Sequence, residues 1–311
     1  THGSCSWELL VEGTPLQPKK IHVAALEREA IVIDYSPTGI DSDPHKEHKG
    51  KPVAQAVGVR RFSLVDGIPL SDVEIFERVT LVREVTRLLS QPIDVKGTKF
   101  RKITVVLACL PGPERTSYCY SLTELDPWTE DLLREAIQSE GGWALLVDSP
   151  SELVKIVSER GLPEKILVVP QRPLSYNELT DIAKENLLEA VKKIIQSDEK
   201  TFVEFFNVAE PINIRLHALD LFAGIGKKTV QALLERRSQK PFESFEEIKK
   251  VIRSDPVELL TNKIVEEIKG EAKYYLFVEP ADYSAPFLDY PEKIRRSLQM
   301  RKRGGGVQAF T

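Results

Sequence analysis

The chain has 311 residues, 41% of them hydrophobic and 29% charged, with a formal net charge of −4. That length leaves room for two or three domains with a sizeable core. No run approaches the ~18 apolar residues of a membrane span, and the acidic balance confines any nucleic-acid contact to a local patch. The three cysteines, Cys5, Cys109 and Cys119, form no CxxC pair, and their odd number does not fit a paired disulfide framework. With no basic and apolar leader pattern at the start, they fit a reducing compartment, so a cytoplasmic location is expected, with no membrane partner.

Residues 1–28 read as an N-terminal extension without a clear period. Residues 29–85 read as short strands. Ile31 to Tyr35 is an apolar run, a turn-rich loop follows to Gly50, and residues 53–59, 61–65 and 73–82 are further strands split by Gly58 and Asp66-Gly67. Several short strands in succession predict a small barrel. Residues 86–171 alternate differently. Strand patterns at 103–107, 143–147 and 166–169 enclose two helices, one opened by Asp126-Pro127 and one by Ser149-Pro150. Strand and helix in alternation predict a parallel α/β insertion. It carries no GxGxxG and no GxxxxGK[ST], so no nucleotide cofactor is signalled, and none is expected.

Residues 172–279 turn helical. Leu187, Leu188, Val191, Ile194 and Ile195 recur at helical spacing. Ser244 with Glu247 matches a capping box, and Asp255-Pro256 starts a helix that Gly270 stops. Residues 274–278 read as a final strand. Residues 280–311 form a basic tail around Arg295, Arg296, Arg301, Lys302 and Arg303 that reads as solvated and mobile.

The most informative stretch is residues 219–230, LDLFAGIGKKTV. Gly224 and Gly226 straddle Ile225, with a helical pattern on either side. Glycine reaches positive φ at little steric cost, which permits a tight turn. The turn opens onto a helix N-terminus, where unpaired N–H groups and the helix dipole favour a phosphate. The candidate nucleic-acid contacts are therefore Gly224, Ile225, Gly226, Lys227, Lys228 and Thr229. Backbone atoms and charge carry no base readout, so such binding would be non-sequence-specific, and with about two phosphates neutralised it would be weak and salt-sensitive. The same residues also fit a plain αα-hairpin whose glycines only let two helices pack.

The stretch resembles the helix-hairpin-helix motif, and the chain around it resembles a wider family. Residues 30–39 (AIVIDYSPTG), 52–58 (PVAQAVG), 62–64 (FSL) and 76–79 (FERV) look like the N-terminal half of the archaeal DUF655 family. Residues 174–180 (LSYNELT), 202–207 (FVEFFN), 211–217 (PINIRLH), 255–260 (DPVELL) and 274–277 (YYLF) look like its C-terminal half. The resemblance implies an α+β protein: an OB-like β-barrel joined to a helical helix-hairpin-helix domain, usually described as RNA-binding. The family's genes often lie among those for translation and ribosomal RNA modification, which implies RNA rather than DNA and ribosome or translation-associated proteins as partners. Residues 86–170 stand where the family has a short linker, and residues 1–28 and 281–311 have no counterpart.

OB-like barrels bind single strands through aromatic platforms in basic grooves. Tyr35, Arg60, Arg61 and Phe62 are the candidates here, against a reading of Phe62 as core and the arginines as solvated. His45 and His48 sit near Asp41 and Asp43, but no cysteine joins them and the loop reads as a polar turn, so no metal is expected. His217 reads as packed on the helix before the hairpin. Arg236 and Arg237 read as cations offsetting a helix dipole. Asp255 reads as a cap rather than a glycosylase aspartate, so no enzyme is expected. Two alternatives stay open: a protein-interaction scaffold that uses the α/β insertion, and a DNA-repair enzyme.

Overall fold

The computed structural model describes residues 27–41, 43–45, 48–95, 98–109, 117–120, 144–146, 150–159, 161–170, 173–281 and 284–304. The helix expected near 126–139, the first 26 residues and the last seven lie outside the described residues. The described chain falls into two compact units. One takes residues up to 30, 35–54 and 65–173; the other takes 31–34, 55–64 and 174 onward. No helix among the described residues is long and apolar enough to cross a membrane.

Eight strands form one sheet: β1 (Glu29–Ser36), β2 (Val53–Gly58), β3 (Leu64–Pro69), β4 (Arg78–Val95), β5 (Thr98–Cys109), β6 (Ser117–Tyr120), β7 (Ala144–Leu146) and β8 (Ile166–Val169). Their order is β1-β2-β3-β8-β4-β5-β6-β7, and a further β1–β4 pairing closes the first five of that order into a barrel. The strand at 166–169 is therefore not the end of a separate parallel unit. It runs antiparallel to β3, with Ile68 opposite Val168, and parallel to β4, with Thr80 opposite Ile166. A four-residue run buried at every position suits a strand with neighbours on both edges. Gly67 permits the close approach, because a Cβ there would lie 2.2 Å from the Val168 carbonyl oxygen. Beyond the barrel, β4 and β5 form a long antiparallel hairpin, β6 pairs antiparallel with β5, and β7 pairs parallel with β6. Helix α1 (Pro150–Glu159) sets Leu153 and Val157 against Val82, Ile166 and Val168.

The second unit is mainly helical: α2 (Asp181–Ser197), α3 (Glu199–Val208), the short pair β9 (Pro211–Asn213) and β10 (Leu216–His217), α4 (Lys227–Gln239), α5 (Phe245–Ile252), α6 (Pro256–Lys269) and α7 (Tyr290–Gly304). The LSYNELT segment docks on strand residues of the same unit. The Thr180 N–H donates to Gln55 and its hydroxyl to Asp34, Gln55 returns a bond to the Glu178 carbonyl, and Asn186 donates to the Ile33 carbonyl. Thr180 also caps α2. The core centres on Phe205, whose ring lies 4.9–5.5 Å from those of Phe206, Phe222, Phe277 and Tyr290.

Two expectations change in this unit. Residues 274–278 are not a strand. The N–H groups of Leu276, Phe277 and Val278 converge instead on the buried Glu267 carboxylate at 2.8–3.0 Å. The basic tail is helical through Gly304, because Tyr290 and Ile294 are buried and give the segment an apolar anchor. Three of its arginines are also engaged: Glu292 holds Arg295 and Arg296, and Arg301 pairs with Glu204 at 3.0 Å.

Candidate nucleic-acid interface

The LDLFAGIG stretch is pinned from below by apolar side chains. Leu219, Phe222, Ile225, Val230 and Leu233 are buried, while Gly224 and Gly226 are exposed. The Ile225 N–H closes the turn onto the Phe222 carbonyl at 3.1 Å. Gly224 has φ +83°, a conformation costly to any residue with a Cβ. Gly226, at φ −93° and ψ 170°, is ordinary extended backbone and serves as the N-cap of α4. A Cβ added at either glycine would meet nothing within 4 Å, so the space outside both is open.

The element before the turn differs from expectation. It is a four-residue 3-10 helix, Ala218–Leu221, entered from the β9–β10 pair. His217 is its N-cap: the Leu219 N–H donates to His217 Nδ1, and the His217 N–H donates to Asp220. Burial and the Arg237 charge hold His217 below the usual imidazole range, so it is neutral and adds no charge for a phosphate.

Lys227 is fastened across the turn. Its ammonium donates to Asp220 Oδ2 at 2.6 Å and to the Arg215 carbonyl at 2.8 Å. Burial works to raise the Asp220 carboxyl, but Lys227 and the His217 N–H outweigh it and hold the group below the ordinary aspartate value. Part of the Lys227 charge is thus spent inside the protein. Lys228 is exposed and Thr229 half-buried.

The N-terminus of α4 lacks what the other helices have. The Gly226 cap offers no side chain, and the first turn contains no acidic residue. Thr180, Asp198, Ser244 and Asp255 cap α2, α3, α5 and α6 through their side chains. Each of the six other described α-helices has an acidic residue in its first turn. Among the described residues the α4 dipole and first N–H groups are thus met by no capping side chain and no acid of the first turn.

The other sequence candidates sit elsewhere. Arg60 and Arg61 lie in the turn after β2; Arg61 is 13% exposed, 3.7 Å from Asp289. Phe62 is a core residue with its ring 6.2 Å from that of Phe202, and the Tyr35 hydroxyl donates to Asp72. Arg236 donates to the Lys240 carbonyl beyond the end of α4, and Arg237 to the Phe206 carbonyl. His45 and His48 meet Asp43 and Asp66 in the first unit, whereas Asp41 is exposed.

Comparison with known proteins agrees with the resemblance seen in the sequence. The family described as "Protein of unknown function (DUF655)" matches residues 26–279. The uncharacterized protein MJ0038 of Methanocaldococcus jannaschii is 39% identical over 111 residues, 35% of this chain, which spans about half (51%) of that relative. The crystal structure of Af1531 from Archaeoglobus fulgidus, a DUF655 protein, is 26% identical with a TM-score of 0.47, covering 81% of this chain and 100% of that one.

Proposed function

This chain belongs to the DUF655 family, and for this member of it we propose non-sequence-specific nucleic-acid binding, with RNA as the favoured ligand. We read the 218–239 unit as a helix-hairpin-helix and the five-stranded barrel as OB-like. The observation that carries the reading is the open N-terminus of α4: exposed Gly224 and Gly226, no capping side chain, no first-turn acid, and Lys228 beside it. A phosphate oxygen would accept the N–H groups at positions 227–229 and sit on the positive end of the dipole. These contacts position a backbone and read no base. With Lys227 shared with Asp220, the turn neutralises about one to two phosphates, giving a slope of log affinity on log salt of about −1 to −2.

The test is fluorescence anisotropy of the full chain with labelled single-stranded RNA, hairpin RNA and duplex DNA of matched length, across a salt series. The reading expects binding at low salt, a shallow negative slope, tolerance of sequence and tighter binding of RNA. Absence of binding to all three ligands at low salt would overturn it.

A further inference from the structure

We infer that Asp43, His45, His48 and Asp66 form a binding site for one divalent transition-metal ion, with zinc the best match to the donors. Asp43 and the two histidines come from the loop after β1, and Asp66 comes from β3. One potential ligand atom from each residue falls within 4.8 Å of all the others. Both histidines turn the same ring nitrogen inward. His45 Nδ1 lies 2.8 Å from Asp66 Oδ2 and 3.5 Å from Asp43 Oδ1; His48 Nδ1 lies 2.8 Å from Asp43 Oδ2 and 3.5 Å from Asp66 Oδ2. Four ligand atoms around a tetrahedral zinc with bonds of about 2.0–2.1 Å stand about 3.3 Å apart. The two separations that share Asp66 Oδ2, 2.8 and 3.5 Å, bracket that value.

The local backbone explains the convergence. The His45 N–H donates to Asp43 Oδ1 at 2.7 Å, and the His48 N–H to the His45 carbonyl at 3.1 Å. Asp43, His45 and His48 thus bring three side chains to the strand that carries Asp66.

Burial sets the chemistry. His48 and Asp66 are each 1% exposed at the side chain, Asp43 6% and His45 13%. Asp66 points one oxygen into the cluster, and its other oxygen, Oδ1, is inaccessible and has no hydrogen-bond partner among the described residues. His45 Nε2 is likewise buried without a partner. Two inward Nδ1 atoms supply at most two protons to carboxylates with far more acceptor capacity. An ion at the centre would collect both carboxylates and both imidazoles at once and offset buried negative charge. Two nitrogen and two oxygen donors suit zinc, and four protein ligands with no open position make a structural site that ties the 37–52 loop to β3.

The probe is the full chain, stripped by chelator and then titrated with Zn²⁺ in competition with a chromophoric chelator, and separately with Co²⁺. The expected result is one equivalent per chain, a tetrahedral Co²⁺ spectrum displaced by Zn²⁺, and a higher melting temperature with metal. His48→Ala and Asp66→Asn should each weaken binding at least tenfold, while Asp41→Ala should leave it unchanged. If either variant fails to fold, the wild-type isotherm and Co²⁺ spectrum still decide. No saturable binding, an octahedral Co²⁺ spectrum, or wild-type affinity in a folded His48→Ala protein would overturn the site and leave only a hydrogen-bonded ion cluster.

Discussion

Two places in the helical unit gather consecutive backbone N–H groups, and the chain treats them in opposite ways. At 276–278 three N–H groups point at one carboxylate, Glu267, which the fold buries for the purpose. At the start of α4 the first N–H groups stand beside exposed glycines, and among the described residues no capping side chain or first-turn acid meets them. The first is an acceptor site filled from within. The second has the same backbone chemistry with the acceptor left out. The contrast teaches that the open turn is not a helix end the fold was unable to cap: four other helices in the same unit carry side-chain caps.

The largest effect should come from emptying the filled site. Glu267→Ala strands three N–H groups and removes the farther of two carboxylates beside the Lys263 ammonium, which keeps Glu266 at 2.9 Å. It should cost about 3–5 kcal/mol in denaturant unfolding. Glu267 also predicts a pH dependence. Burial pushes its carboxyl up to about 7, against the pull of the three N–H donors and Lys263. The folded state therefore holds a proton that the unfolded chain releases near 4.5. Stability should fall as pH rises from 4.5 to 7, by on the order of 3 kcal/mol. Unfolding titrations of wild type and Glu267→Gln should show that window in the first and not in the second; an identical pH profile would break this half of the comparison.

Gly224→Ala comes next. Forcing a Cβ into φ +83° should cost about 1–2 kcal/mol, and thermal unfolding checks it. The smallest effect concerns charge. Lys228→Gln should make the salt slope shallower by about 0.7–0.9, the share of one phosphate. Lys227→Gln should change it less, because its ammonium is already shared with Asp220. Equal effects would show that the Asp220 contact does not hold Lys227 in solution.

Local signals read well from the sequence. The Asp255-Pro256 start, the Gly270 stop and the Gly224 turn each depend on a few adjacent residues, and each stands where the spacing puts it. The Ser244 hydroxyl caps α5 as expected, although Glu247 reaches back to the Glu243 N–H rather than to that of Ser244. What sequence missed depends on distant partners. Arg61 looked solvated because its partner, Asp289, is far along the chain. Asp66 was read as a turn residue beside Gly67, when both lie inside β3: the aspartate faces two histidines and the glycine makes room for β8. An acidic residue within an apolar run was the available signal. The tail read as solvated because residues 295–303 hold Arg295, Arg296, Arg301, Lys302 and Arg303 against only Leu298 and Met300, yet buried Tyr290 and Ile294 anchor the helix.

The central claim is that the N–H groups at the start of α4 are kept open for an external phosphate. Gly226→Asp tests it most directly. The position is extended, as a capping residue must be, so an aspartate there would cap α4 and place a carboxylate where the phosphate is proposed to sit. Helix stability should rise by about 0.5 kcal/mol, while RNA affinity, measured on the same protein by anisotropy, should fall at least tenfold. A Gly226→Asp protein that is as stable or more so and binds RNA as tightly as wild type would contradict the account.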